Sequence, residues 1–138
     1  MKKVVLDTNI LVDFLRQSPK ATVFGKLMRQ KDLEIFLPAV VLTELYIGKS
    51  AGNPAGEKRL EEALRELKFV STNEEISRQA GILMRQNPNF YLADALVAAT
   101  ALNLQAPLCT FNKSHFENIF GLKFFARENL LTGFDKKR

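Results

Sequence analysis

Hydrophobic and polar positions along the chain follow two alternating rhythms. Lys3 to Leu6 is a short run centred on two β-branched valines that stops at Asp7, after which Ile10, Leu11, Phe14 and Leu15 recur at helical spacing. This reads as strand, turn and helix, with Thr8 or Asn9 as the cap. The alternation then repeats. A helical pattern covers about 21–30, a short strand runs from Glu34 to Leu37, and a helix follows from Pro38 to about Lys49, whose first turn tolerates the proline. Three glycines and Asn53-Pro54 between Gly48 and Gly56 read as a loop before a charged helix from Glu57 to Lys68. Phe69-Val70 is a candidate strand, Asn73 caps a helix to about Gln86, and Asn87-Pro88-Asn89 is a turn into the helix Tyr91–Leu104. Pro107–Thr110 reads as a strand, Lys113–Asn118 as a short helix or turn, and Leu122–Phe125 as a last strand.

Short apolar strands alternating with helices of about ten residues or more predict an α/β fold, with a central parallel sheet flanked by helices on both faces. The 138 residues suit one domain, expected over 1–134, with 135–138 as a short basic tail. With 46% hydrophobic and 25% charged residues, the composition is that of a globular protein with a packed core. Apolar runs fall far short of the roughly 20 residues that span a bilayer, and Asp7 interrupts the run after Met1-Lys2-Lys3 before it could serve as a signal peptide. No membrane partner and a cytoplasmic location are expected. One cysteine, Cys109, excludes an internal disulfide and a cysteine-rich zinc site, and reads as a small buried hydrophobe. The net charge of +5 is shared between the ends, +3 over residues 1–49 and +3 over 85–138, against −1 between them. Such an excess attracts polyanions modestly and identifies none.

Three carboxylates stand out from their surroundings. Asp7 falls where the first strand ends, the side on which open parallel sheets bind ligands, although a helix cap would also place an aspartate there. Glu44 sits among Val40, Val41, Leu42, Leu45 and Ile47, and a carboxylate so crowded is costly unless paired or metal-bound. Asp94 lies in the first turn of a helix almost devoid of charge, where the helix dipole favours it. Two carboxylates about 4 Å apart repel by roughly 4 kcal/mol at an effective dielectric of 20, so three in one crevice need protons or a cation. Oxygen ligands select Mg²⁺ or Mn²⁺, which bind phosphate oxygens and lower the pKa of a bound water. Phosphodiester hydrolysis is the chemistry this set suits.

The segments Val5-Leu6-Asp7-Thr8-Asn9-Ile10-Leu11, Pro38 to Leu45 with Glu44, Ala93 to Ala99 with Asp94, and Thr110-Phe111-Asn112-Lys113-Ser114-His115-Phe116 together resemble the PIN-domain ribonucleases. The likeness is greatest to the VapC-type toxins of prokaryotic toxin–antitoxin pairs. It implies a PIN-like fold and a Mg²⁺- or Mn²⁺-dependent endoribonuclease acting on RNA. It also implies a homodimer or toxin–antitoxin hetero-oligomer and an inhibiting antitoxin. Asp7, Glu44 and Asp94 fall on the family's acidic metal positions, and Asn9, Thr110 and Asn112 on its supporting polar positions, with Asn112 counted in the catalytic set. The chain departs from the pattern at one point. Many members carry a fourth acid in the segment matched by Thr110–Phe116, where this chain has Asn112 and His115. A site of about −3 rather than −4 favours one well-held ion over a preformed pair.

Other residues read more plainly. His115 is expected to be a turn histidine with a structural hydrogen bond, Asp13 a solvent-facing helix residue, Tyr91 a packing edge and Arg85 surface charge. An antitoxin segment is expected on apolar and basic surface that includes Phe14 and Leu45. Two other functions compete. One is a regulatory module that binds RNA without cutting it, supported by the missing fourth acid. The other is a phosphatase with Asp7 as nucleophile, which needs a second acid where Asn9 stands.

Overall fold

The computed structural model describes residues 1–17 and 19–126. Four parallel strands, β1 (Lys2–Leu6), β2 (Leu33–Pro38), β3 (Lys68–Val70) and β4 (Leu108–Cys109), lie in the order β3-β2-β1-β4. Between them run α1 (Thr8–Arg16), α2 (Val23–Met28), α3 (Ala39–Ile47), α4 (Pro54–Leu64), α5 (Glu74–Gln86) and α6 (Leu92–Leu104). Consecutive residues of a strand point to opposite faces, and Val4, Val5 and Leu6 are all fully buried, so β1 is covered on both sides as expected. The α6 helix offers the core Ala95, Val97, Ala98, Ala99 and Ala101, small side chains that let it pack closely against α5, α3 and β1. Among the described residues no helix is long and apolar enough to cross a membrane.

Several boundaries differ from the expectation for local reasons. The cap of α1 is Asp7 rather than Thr8 or Asn9: its backbone is extended and its Oδ1 accepts the Thr8 N–H at 2.8 Å. The two following side chains are thereby released for contacts across the fold. Thr22 and Asn53 cap α2 and α4 by accepting the Gly25 and Gly56 amides, and Pro54 opens α4 three residues ahead of Glu57. Part of the expected loop is thus helix. Gly56 is required there, because a Cβ at that position would stand 1.8 Å from the Ser50 carbonyl oxygen. Arg59 of α4 donates to the carbonyls of Phe14 (2.5 Å), Leu15 (3.1 Å) and Gln17 (3.3 Å), satisfying the open end of α1. The last strand expected at Leu122–Phe125 shrinks to one parallel bridge, Phe124 beside Leu108, since the adjoining β4 is two residues long and Pro107 has no N–H to extend it. The tail expected at 135–138 lies outside the described residues.

Candidate active site

The sheet changes direction of growth at β1, where β2 lies on one side and β4 on the other. Crevices of parallel sheets open at such a switch, beyond the strands' carboxyl ends. The register pairs Leu6 with Cys109, so the residues that follow, Asp7 and Thr110, emerge side by side, and the Asp7 amide donates to the Cys109 carbonyl at 3.0 Å. Asp7 is almost wholly buried and Thr110 wholly so. The Thr110 hydroxyl donates to Asp7 Oδ2 at 2.7 Å, while Asn9 Nδ2 stands 3.4 Å from Oδ2 and 3.5 Å from Thr110 Oγ1. Asn9 Oδ1 in turn accepts the Phe111 amide at 3.3 Å. Three residues drawn from the sequence as one aspartate and two supporting groups therefore form a closed network that fixes the Asp7 carboxylate.

Glu44 is brought to this edge by α3, which starts directly from Pro38 at the end of β2. The Thr8 hydroxyl donates to its Oε1 at 2.5 Å. Asp94 arrives from the opposite direction, in the first turn of α6. Its pKa is raised, by burial first and then by the charge of Asp7; His115 opposes the shift and Glu44 adds to it. The helix dipole favours the ionised form at this position, and the net direction is still upward. Asp94 therefore feels both other carboxylates, and the three expected acids share one field.

The other expected members divide. Asn9 and Thr110 are in place, whereas Asn112 reaches the network only through its backbone amide, which donates to Thr110 Oγ1 at 3.0 Å; the residue itself is exposed. His115, expected to hold a turn, stands with Nδ1 3.6 Å from Asp94 Oδ2. Thr8 was expected only as a cap of the first helix, not as a member of the site. Its signal was a hydroxyl one residue after a strand-ending aspartate, a position that becomes free for a tertiary contact once that aspartate is the cap. Leu45, expected on a partner surface, is buried at 2% exposure because α3 turns it into the core. Cys109 is fully buried, as expected, and Tyr91 is exposed at the start of α6 rather than a packing edge.

All three acids supply oxygen, the donor that suits a hard divalent cation, and their mutual repulsion is what such a cation would relieve. Among the described residues no three Asp, Glu, His or Cys side chains are grouped tightly enough to hold one ion as they stand. The chemistry of the donors fits the metal; the spacing asks for movement of side chains, and Glu44 and Asp94 are the partly exposed ones.

A family model described as PIN domain matches residues 4–120, a span that contains Asp7, Glu44, Asp94, Thr110 and Asn112. The chain belongs to the PIN-domain family. Ribonuclease VapC19 of Mycobacterium tuberculosis is 32% identical over 116 residues, covering 81% of this chain and 90% of that protein, which places this PIN domain with the VapC proteins. Solved structures share the fold. VapBC2 from Rickettsia felis, bound to a fragment of promoter DNA, superposes with a TM-score of 0.76 at 23% identity, covering 89% of this chain and 97% of that one. VapBC from Salmonella typhimurium, also bound to DNA, gives 0.74 at 21% identity over 92% and 99%. In this PIN domain Asn9, bonded to Asp7 and close to Thr110, stands where an aspartyl-nucleophile phosphatase needs a second acid.

Proposed function

We propose that this chain is a divalent-metal-dependent endoribonuclease and the toxin of a type II toxin–antitoxin pair, acting in the cytoplasm. The observation that carries the reading is the placement of Asp7 at the switch point of a PIN-type sheet, with Glu44 bonded to the adjoining Thr8 and Asp94 in the first turn of α6. In this reading Asp7, Glu44 and Asp94 hold Mg²⁺ or Mn²⁺. A bound ion of this kind supplies a Lewis acid for the scissile phosphate and an acidified water. The protein's contribution is positioning. Thr110 and Asn9 fix Asp7, Thr8 fixes Glu44, and the dipole of α6 lets Asp94 remain an anion despite its neighbours. Asn112 lies exposed at the mouth, available to the RNA backbone.

The test is cleavage of a structured-RNA pool in Mg²⁺, Mn²⁺ or EDTA, beside Asp94→Asn prepared in parallel. Metal-dependent cleavage lost in the variant supports the reading; equal turnover by the variant overturns it. The absence of a carboxylate from Thr110–Phe116, with His115 beside Asp94 instead, favours a second reading as an RNA-binding module without turnover. RNA binding that persists in both proteins with no cleavage in either would select it.

An antitoxin partner follows from the VapBC complexes among the structural relatives, and a homodimer is part of the same proposal. The revised surface for the antitoxin is a groove of about 420 Å³ between α1, α2 and α4, lined by Phe14, Phe24 and Met28 with Arg29 and Arg59 at its side. Phe14 meets the edge of Phe24 at a centroid distance of 4.8 Å and carries the Arg59 guanidinium at 5.2 Å. Lys20, Glu62 and Glu66 complete the lining, so an amphipathic antitoxin segment with an apolar face and charges of both signs at its edge matches it.

A further inference from the structure

Beside the acidic crevice lies a cavity of about 300 Å³ between the α5–α6 turn and the segment after β4. Asn87, Asn89, Ser114, His115 and Asn118 form its polar wall, with Phe90 and Ile119 buried beneath. The ring of Phe90 is braced edge-on against Phe116 at 5.9 Å, so the floor is part of the core and not a mobile flap. No lysine, arginine or carboxylate lines the cavity. His115 is the one lining side chain that could carry a charge, so the wall offers a phosphate no lysine or arginine and a cation no carboxylate.

What the lining offers is a set of neutral donors and acceptors. Each Asn presents a carbonyl and an amide, Ser both a donor and acceptors, and neutral His one of each. The Asn87 amide nitrogen is committed to the Leu83 carbonyl at 2.9 Å, which holds this side chain in place. The side chains of Asn89, Ser114 and Asn118 make no hydrogen bond to another described residue. A planar, uncharged ligand with mixed donors and acceptors on its edge meets this description, and single-stranded RNA supplies one in each unstacked base. His115 joins the two sites: it lines the cavity, and its Nδ1 stands 3.6 Å from Asp94 Oδ2.

We propose that this cavity is a nucleobase subsite that receives a base flanking the scissile phosphate and sets which sequence is cut. The inference rests on the ribonuclease reading for its place in a reaction, while its ligand chemistry stands on the cavity alone. Asn89 and Asn118 are the specificity residues. Both are exposed, so replacing either by Ala leaves the fold unchanged.

The experiment titrates the ¹⁵N-labelled full chain with each of the four ribonucleosides at millimolar concentration, and separately with inorganic phosphate. The expected result is a shift of the Asn87, Asn89 and Asn118 side-chain amide signals by nucleosides, with one base strongest and phosphate ineffective. Asn89→Ala and Asn118→Ala should each weaken that nucleoside by about tenfold, the scale of one lost hydrogen bond. On a random single-stranded RNA pool the same variants should lose base preference at one position next to the cut. Unshifted amides, or shifts produced by phosphate alone, overturn the subsite. Nucleoside shifts with no cleavage by wild type leave the subsite standing and overturn the nuclease reading; cleavage with unaltered base preference in both variants does the reverse.

Discussion

The two halves of the acidic crevice are built on opposite principles. On the β1–β4 side Asp7 is buried, donated to by the Thr8 amide and the Thr110 hydroxyl, with the Asn9 amide close by. That carboxylate is stabilised by fixed dipoles and needs no cation to hold its place. On the α6 side Asp94 is partly buried, its pKa is raised by burial and by the charges of Asp7 and Glu44, and the imidazole of His115 stands 3.6 Å away. One half is wired by hydrogen bonds and the other is held under electrostatic strain. The difference teaches where a metal would act on stability as well as on chemistry, because relief is available only on the strained side.

The largest effect expected is therefore at Asp94. Asp94→Asn removes a ligand charge at nearly constant volume and should lower cleavage by roughly a hundredfold or more, beyond the 10- to 100-fold typical of residues that only orient a ligand. Its stability should move the other way. A carboxyl whose folded pKa lies above its ordinary 3.8 costs stability once ionised, a cost absent below that pH and complete above the raised value. Measured in EDTA, the variant should match wild type near pH 3 and exceed it at pH 7. Added Mg²⁺ or Mn²⁺ should raise the melting temperature of wild type and leave the variant nearly unmoved. A variant less stable than wild type at pH 7 would show that Asp94 is structural and the strain fictitious.

On the wired side the order reverses, and stability and activity should fall together. Thr110→Val keeps the shape but leaves the buried Asp7 Oδ2 without its 2.7 Å donor, at a cost of about 1–3 kcal/mol in urea unfolding. Activity should fall about 10- to 100-fold, as for other groups that orient a ligand. If Thr110→Val unfolds like wild type while activity collapses, the hydroxyl touches substrate and its place in the Asp7 network is incidental.

This division also explains what could be read from the sequence. Asp7, Glu44 and Asp94 were visible because each interrupts an apolar surrounding, and the α/β order was visible because strand and helix periodicities differ. The wiring was not. Whether Asp7 or Thr8 caps α1 depends on one backbone conformation, and that choice decides which hydroxyl is free to reach Glu44, 36 residues away. His115 was noted where relatives carry a fourth acid and read as a turn residue, because its proximity to Asp94 is made by β4 returning beside β1 and bringing with it the turn at Lys113–Phe116. Strand ends suffered in the same way: Leu122–Phe125 has the composition of a strand, but its neighbour β4 has only two residues with which to pair. Leu45 was misplaced because α3 is apolar almost all round, which gives a sequence reading no face to choose.

The smallest effect expected comes from an ion pair remote from both halves, and it checks that the contrast belongs to the crevice. Glu34 on β2 pairs with Lys68 on β3, whose hydrogen bond and charge hold the Glu34 pKa below its ordinary 4.5. A carboxyl with a depressed folded pKa adds stability above its ordinary value and loses it as the pH falls through the folded one. Glu34→Gln should therefore be slightly less stable than wild type at pH 7, with the gap closing below about pH 4.5 and shrinking in high salt, as for any exposed pair. The sign is opposite to that at Asp94, where removing the charge stabilises the chain at neutral pH and does nothing in acid. Cleavage by Glu34→Gln should equal that of wild type. Should both variants instead shift stability in the same direction with pH, the two carboxylates would sit in equivalent environments, and the strain assigned to Asp94 would be a property of the whole surface and not of its neighbours Asp7 and Glu44.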